Sequence, residues 1–86
     1  IYLDTPAKLN IVDKDWQRRI QLISEGSKST VIWNPWTERA KAFVDMADDG
    51  WTGMLCIETA NVLEDVVALA PGERHTLGVS ICGIAL

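Results

Sequence analysis

The sequence predicts a mainly β protein: antiparallel strands forming part of a β-sandwich, with one short helix. Three observations carry that prediction. Most segments alternate polar and apolar residues with period two, the pattern of half-buried strands. Compact turn signals separate them: Asp13-Lys14-Asp15, Glu25-Gly26-Ser27-Lys28-Ser29, Asp48-Asp49-Gly50 and Ala70-Pro71-Gly72-Glu73. A single window, Trp36 to Met46, carries helical spacing instead. Strands spaced by turns, with one short helix, suggest part of a β-sandwich.

Taken in order, Lys8-Leu9-Asn10-Ile11-Val12 alternates, and Arg18-Arg19-Ile20-Gln21-Leu22-Ile23 follows after a short turn, so the two predict a hairpin. Thr30-Val31-Ile32-Trp33-Asn34 is a third strand, rich in β-branched and aromatic residues. Pro35 ends it, since proline cannot donate to a ladder. Asn34-Pro35 then suits a helix start, with Asn at the N-cap and Pro at the first helical position. The helix is expected over Trp36 to Met46, with Ala40, Phe43, Val44 and Ala47 on one face. Trp51 to Glu58 alternates strictly and predicts a fourth strand. Val62 to Leu69 reads as a connection ending in a short strand, Pro71-Gly72 as a type II turn, and Thr76 to Ala85 as a closing strand.

Bulk composition narrows the function. The chain has 86 residues, is 48% hydrophobic and holds four Trp, too apolar for a disordered segment. A composition this rich in so short a chain belongs to a segment that packs against something else. The formal charge is −4, and the only basic pair, Arg18-Arg19, has Asp13 and Asp15 close by. There is no electrostatic basis for nucleic-acid binding or for docking on anionic lipid. No apolar run approaches the roughly 20 residues that span a bilayer. The opening Ile-Tyr-Leu-Asp-Thr-Pro does not resemble a signal peptide and starts in mid-pattern, as expected for a portion of a longer chain. Cys56 and Cys82 sit in apolar, strand-like segments and read as free buried thiols in a reducing cytoplasm.

One segment carries chemistry. In Trp51-Thr52-Gly53-Met54-Leu55-Cys56-Ile57-Glu58, period two sends Trp51, Gly53, Leu55 and Ile57 to one face and Thr52, Met54, Cys56 and Glu58 to the other. Glu58 is the lone charge at the end of an otherwise uncharged strand. A carboxylate on an apolar surface is paired, hydrogen-bonded or shifted in pKa, and such a shift suits a general base. Glu58 is therefore expected to be partly buried, facing a concave surface beside Met54 or Cys56. The alternative is a solvated carboxylate at the strand rim.

The runs Trp33-Asn34-Pro35-Trp36, Asp48-Asp49-Gly50-Trp51 and Cys56-Ile57-Glu58-Thr59-Ala60-Asn61, in that order, resemble the C-terminal end of the hexose-6-phosphate mutarotases. These belong to the aldose 1-epimerase, or galactose mutarotase-like, superfamily. The likeness continues through Leu69-Ala70-Pro71-Gly72-Glu73 and the strand after His75, and covers nearly all of residues 1–86 as a single C-terminal portion of the sandwich domain. It implies interconversion of the α and β anomers of a hexose 6-phosphate or another aldose, with Glu58 as the general base that takes the proton from the anomeric hydroxyl. A histidine upstream of this portion then protonates the ring oxygen. No metal or organic cofactor is implied.

The resemblance leaves parts of a complete site outside this chain. His75 does not match the family's acid, and Arg18, Arg19 and Arg39 match none of its phosphate-binding positions, so they read as solvated or paired surface charges. The chain alone is expected to be inactive. Its expected partners are the remainder of the sandwich, or further copies joined through open sheet edges. Asp49, Trp36 and Asn61 are the substrate-binding candidates: Asp49 for sugar hydroxyls, Trp36 for stacking on a sugar ring, Asn61 for orienting Glu58. Each has a plainer role available, as turn, core-edge aromatic or loop residue. The competing function is a non-catalytic carbohydrate-binding β-sandwich module that uses its Trp residues as a platform.

Overall fold

In the computed structural model, which describes residues 1–86, six strands form two antiparallel sheets with one helix between strands of the first. The strands are β1 (Tyr2–Leu3), β2 (Lys8–Asp13), β3 (Arg18–Glu25), β4 (Ser29–Trp33), β5 (Cys56–Ala60) and β6 (Gly78–Ala85); α1 spans Trp36–Ala42. One sheet has the order β1-β4-β5 and the other β2-β3-β6.

The expected hairpin is present. β2 and β3 pair from Lys8↔Ile23 to Asp13↔Arg18, closed by an Arg18 Nε–Asp13 Oδ2 ion pair of 2.9 Å. The guanidinium of Arg18 also lies over the Trp16 ring, 4.9 Å from its centroid. β6 returns to the far side of β3, in register from Arg18↔Ala85 to Glu25↔Gly78. Alternation then places Leu9, Ile11, Ile20, Leu22, Val79 and Ile81 on one face of this sheet, and Asn10, Arg19, Gln21 and Cys82 on the other. Of the apolar face only Leu22 is buried, while Ile81 remains 65% exposed.

Several sequence expectations need correction. The helix ends at Ala42 rather than Met46, and Phe43 is already extended. Of its expected apolar face only Ala40 is buried, and Val44 is fully exposed. A helix of seven residues depends on tertiary packing, and nothing packs on residues 43–47 strongly enough to extend it. Asn34 acts one position earlier than a standard N-cap: its Oδ1 accepts the Trp36 N–H at 2.9 Å, and Pro35 occupies the cap.

The strand expected over Trp51 to Glu58 forms only as Cys56–Ala60, preceded by a 3-10 turn at Gly50–Gly53. Asn34 again decides this, because its Nδ2 donates to the carbonyls of Trp51 (2.9 Å) and Met54 (2.8 Å) and bends that segment out of the ladder. No strand forms between Val62 and Leu69; a 3-10 turn at Leu63–Asp65 takes its place. The two cysteines are free, as expected, but not both buried. Cys56 is half-buried, and Cys82 is exposed because the edge strand β6 is open on both faces from Val79 to Gly83.

Extensive packing occurs only within each sheet and between α1 and the turn that follows it. The consequence is an open shape. The radius of gyration is 15.8 Å, where a compact domain of this length has about 12 Å. The accessible surface is 6540 Å², about 1,500 Å² more than a compact monomer of this mass would show.

Candidate functional site

Glu58 lies in the middle of β5, an edge strand held by β4 on one side. The register Val31↔Glu58, flanked by Trp33↔Cys56 and Ser29↔Ala60, puts the carboxylate on the same face as Val31, Trp33, Cys56 and Ala60. A lone acid on an apolar stripe is thus what the fold produces, with Cys56 beside it as expected. The expectation of partial burial in a concavity does not hold. Glu58 is exposed, no side chain hydrogen-bonds to it, and neither of the two clefts includes it. Around it on that face Val31, Trp33, Cys56 and Ala60 are half-buried and Ser29 is fully buried, so the opening lies at Glu58 itself. The larger cleft, about 610 Å³, lies instead between the β2–β3 hairpin tip and residues 52–55, with Asp15, Trp16 and Arg18 on its rim.

The other three sequence candidates separate to the two ends of the β4–β5 pair. At the Trp33/Cys56 end, Trp36 is 64% exposed and its ring lies 4.4 Å from that of Trp51, tilted by 47°. Trp36 has φ of +64°, a left-handed conformation rare for a bulky residue. The Asn34 side chain holds both tryptophan segments, through the Trp36 N–H and the Trp51 carbonyl. Asp49 precedes the 3-10 turn; its carbonyl accepts from Thr52 N–H (3.1 Å) and Thr52 Oγ1 (2.8 Å), while its carboxylate is exposed.

Asn61 is at the opposite end and does not touch Glu58. Its Nδ2 donates to Gly26 O (2.8 Å) and Asp65 Oδ2 (3.2 Å), and its Oδ1 lies 3.1 Å from His75 Nε2. His75 Nε2 is also 2.8 Å from Gly26 O, so with two oxygen acceptors that nitrogen carries the proton. His75 therefore ties the loops at Gly26 and Asn61 together. Arg18 is paired as expected. Arg19 is not: its Nε is shielded from water and has no hydrogen-bond partner.

Sequence reasoning missed Ser29 and Asp65. Ser29 is fully buried. Its hydroxyl lies 2.7 Å from both Ala60 O and Asp65 Oδ2 and accepts the Val62 N–H at 3.1 Å. Asp65 Oδ2 also accepts the Lys28 N–H at 2.8 Å. The only signal in the sequence was the Asn61-x-x-x-Asp65 spacing, which an expected short strand hid. The Lys28 amide first, then the Ser29 hydroxyl and the Asn61 amide, hold the Asp65 carboxyl below its ordinary 3.8 against the opposing effect of desolvation. A depressed folded-state pKa means that the stabilisation is complete above pH 3.8 and is lost as pH falls through the lower folded value. Acid titration followed by circular dichroism should show stability declining below about pH 4. In Asp65→Asn that part of the decline should be absent; an unchanged acid profile would contradict the assignment.

No group of three or more His, Cys, Asp or Glu side chains converges as metal ligands do, and no helix is long and apolar enough to cross a membrane.

Two antiparallel sheets and one short helix define a mainly β protein, an arrangement consistent with part of a galactose mutarotase-like sandwich. A family model described as Aldose 1-epimerase matches residues 1–82, and the chain belongs to that family. A protein of Cenchrus ciliaris named "Putative glucose-6-phosphate 1-epimerase" is 40% identical over 74 residues, covering 86% of this chain and 22% of its own length. A Haemophilus influenzae protein of the same name is 34% identical over 83 residues, covering 96% of this chain and 28% of its own. The chain thus spans about a quarter of the length of these relatives. No solved structure matches it significantly.

Proposed function

We propose that this chain carries the general base of a mutarotase that interconverts the α and β anomers of a hexose 6-phosphate. The carrying observation is Glu58, a single carboxylate on an apolar strand face in a chain of the aldose 1-epimerase family. The names of the two relatives support glucose 6-phosphate as the substrate to test first. In this reading Glu58 removes the anomeric hydroxyl proton, and the ring opens as an acid elsewhere in the site protonates the ring oxygen. The C1–C2 bond turns, and the ring closes on the other face. A base and an acid at one acetal carbon suffice for this exchange.

Trp36 and Asp49 are the sugar-contacting residues of the proposal, because both are exposed at the end of β5 that leads to Glu58. Free thiols at Cys56 and Cys82 fit a cytoplasmic setting. Magnetisation-exchange NMR on glucose 6-phosphate tests the function: in the full-length protein carrying these residues, anomer exchange should exceed the buffer rate, and exchange at the buffer rate would refute it.

Alone, the 86 residues should be inactive and should associate. Their excess surface of about 1,500 Å² is more than the roughly 800 Å² that each partner of a stable interface buries. Val79 and Ile81 stand exposed on an apolar sheet face, and β2, β5 and β6 are open edges. Sedimentation of the purified chain should show oligomers. A compact monomer that speeds anomer exchange would overturn this expectation and reopen His75 as the acid.

A further inference from the structure

Glu58 has no hydrogen bond to hold it, and its strand is paired on one side only. The position of its carboxylate therefore depends on how the two ends of β5 are anchored. Upstream, Asn34 Nδ2 grips the Met54 carbonyl. Downstream, two residues beyond Glu58, the anchoring is much denser. The Ala60 carbonyl lies within hydrogen-bond distance of the hydroxyls of Ser27 and Ser29, the Val62 N–H donates to Ser29 Oγ, and Asn61 Nδ2 donates to Asp65. Three donors from three chain positions, Lys28 N–H, Ser29 Oγ and Asn61 Nδ2, converge on one oxygen, Asp65 Oδ2.

The chemistry of these bonds makes Asp65 the keystone. Ser29 has one hydroxyl proton and two oxygens at 2.7 Å, Ala60 O and Asp65 Oδ2. The carboxylate is the stronger acceptor, so the proton goes to Asp65 and the Ser29 lone pairs are left to face Val62 N–H. Ser27 then supplies the bond to Ala60 O. Ser29 is also the β4 partner of Ala60 in the ladder and is fully buried. One charge thus fixes β4, the end of β5 and the turn after it as a single unit.

We propose that Asp65 is a positioning residue for Glu58, acting through Ser29 and Asn61 on the backbone that leaves β5. The proposal rests on the reading of Glu58 as the base. A reacting group displaced by about 1 Å costs up to ~10²-fold in rate, and without this clasp the end of β5 is held only by its ladder to β4.

A double-mutant cycle on the full-length protein carrying these residues tests it, with glucose 6-phosphate as substrate and exchange NMR as readout. Asp65→Asn should lower kcat about tenfold or more and leave KM within about twofold, since the clasp does not touch the sugar. In a Glu58→Gln background the same substitution should lower the residual rate no further. Equal falls in both backgrounds, following the folded fraction, would mean a merely structural role and overturn the proposal, as would a wild-type kcat in Asp65→Asn. Ser29→Ala runs through the same cycle with the same expected outcomes, and serves if Asp65→Asn does not fold. A wild-type rate in Glu58→Gln would overturn the base assignment and this proposal together, whereas loss in Glu58→Gln with none in Asp65→Asn or Ser29→Ala would overturn this proposal alone.

Discussion

Replacing Glu58 with glutamine is expected to lower anomer exchange by ~10²–10⁴-fold while leaving the fold intact, the range set by loss of general-base assistance. Glutamine keeps the shape of the side chain and loses only its basicity. The structure gives no reason for the fold to suffer. Glu58 is exposed, has no ion pair or hydrogen bond, and faces Val31 across the ladder. Removal of a charge from an apolar face is close to neutral for stability, within about 0.5 kcal/mol for an exposed position. Thermal unfolding should therefore coincide with wild type while the rate collapses. If exchange NMR on the full-length protein gives the wild-type rate, Glu58 is not the base.

The largest expected effect on stability comes from Gly26→Ala. Gly26 has φ of +72°, and a Cβ built there would lie 1.9 Å from the Thr76 carbonyl oxygen. Both sides of that contact are backbone, so no side chain can rotate away. The left-handed conformation costs an alanine about 1–2 kcal/mol, and forced overpacking adds typically ~1–3 kcal/mol. A chain of this size rarely has more than ~3–5 kcal/mol in total. Gly26→Ala should thus abolish cooperative folding, or lower the melting temperature by well over ten degrees where the rest of the protein supports it. It would also displace the Gly26 carbonyl that accepts from Asn61 and His75. Gly72→Ala is the control: φ is +84° but nothing lies within 4 Å, so only the conformational cost applies. Circular dichroism melts of the two variants decide the matter. Equal midpoints would show that the Thr76 contact does not exist.

The correct and incorrect sequence expectations divide along a physical line. The β2–β3 hairpin, the β4 strand and the closing strand were legible because alternation and turn chemistry act within a few residues. The resemblance that pointed to Glu58 was legible for the same reason, as contiguous runs. The two misplaced strands each involve one side chain acting across distant segments. Asn34 donates to Trp51 and Met54, 17 and 20 residues away, and converts an alternating run into a turn before β5. Asp65 and Asn61 bind residues 26–29, more than thirty positions earlier, and so replace an expected strand with a turn. Alternation predicted that Thr52 and Met54 would share a face with Glu58; the turn removes them from the strand.

By itself the sequence determined that this is a mainly β chain with a single short helix, without a basic face or a membrane-spanning helix, and with one carboxylate on an apolar strand. These follow from local periodicity and composition, which any segment expresses in its own residues. Tertiary structure alone decided where the helix stops, that the Asn61 and His75 side chains bond to the loops at Gly26 and Asp65 and not to Glu58, and that Ser29 and Asp65 lie beside them. It also decided that the apolar faces stay open and that Glu58 stands in solvent. Burial and hydrogen-bond convergence are properties of segments brought together, and no reading of one segment contains them.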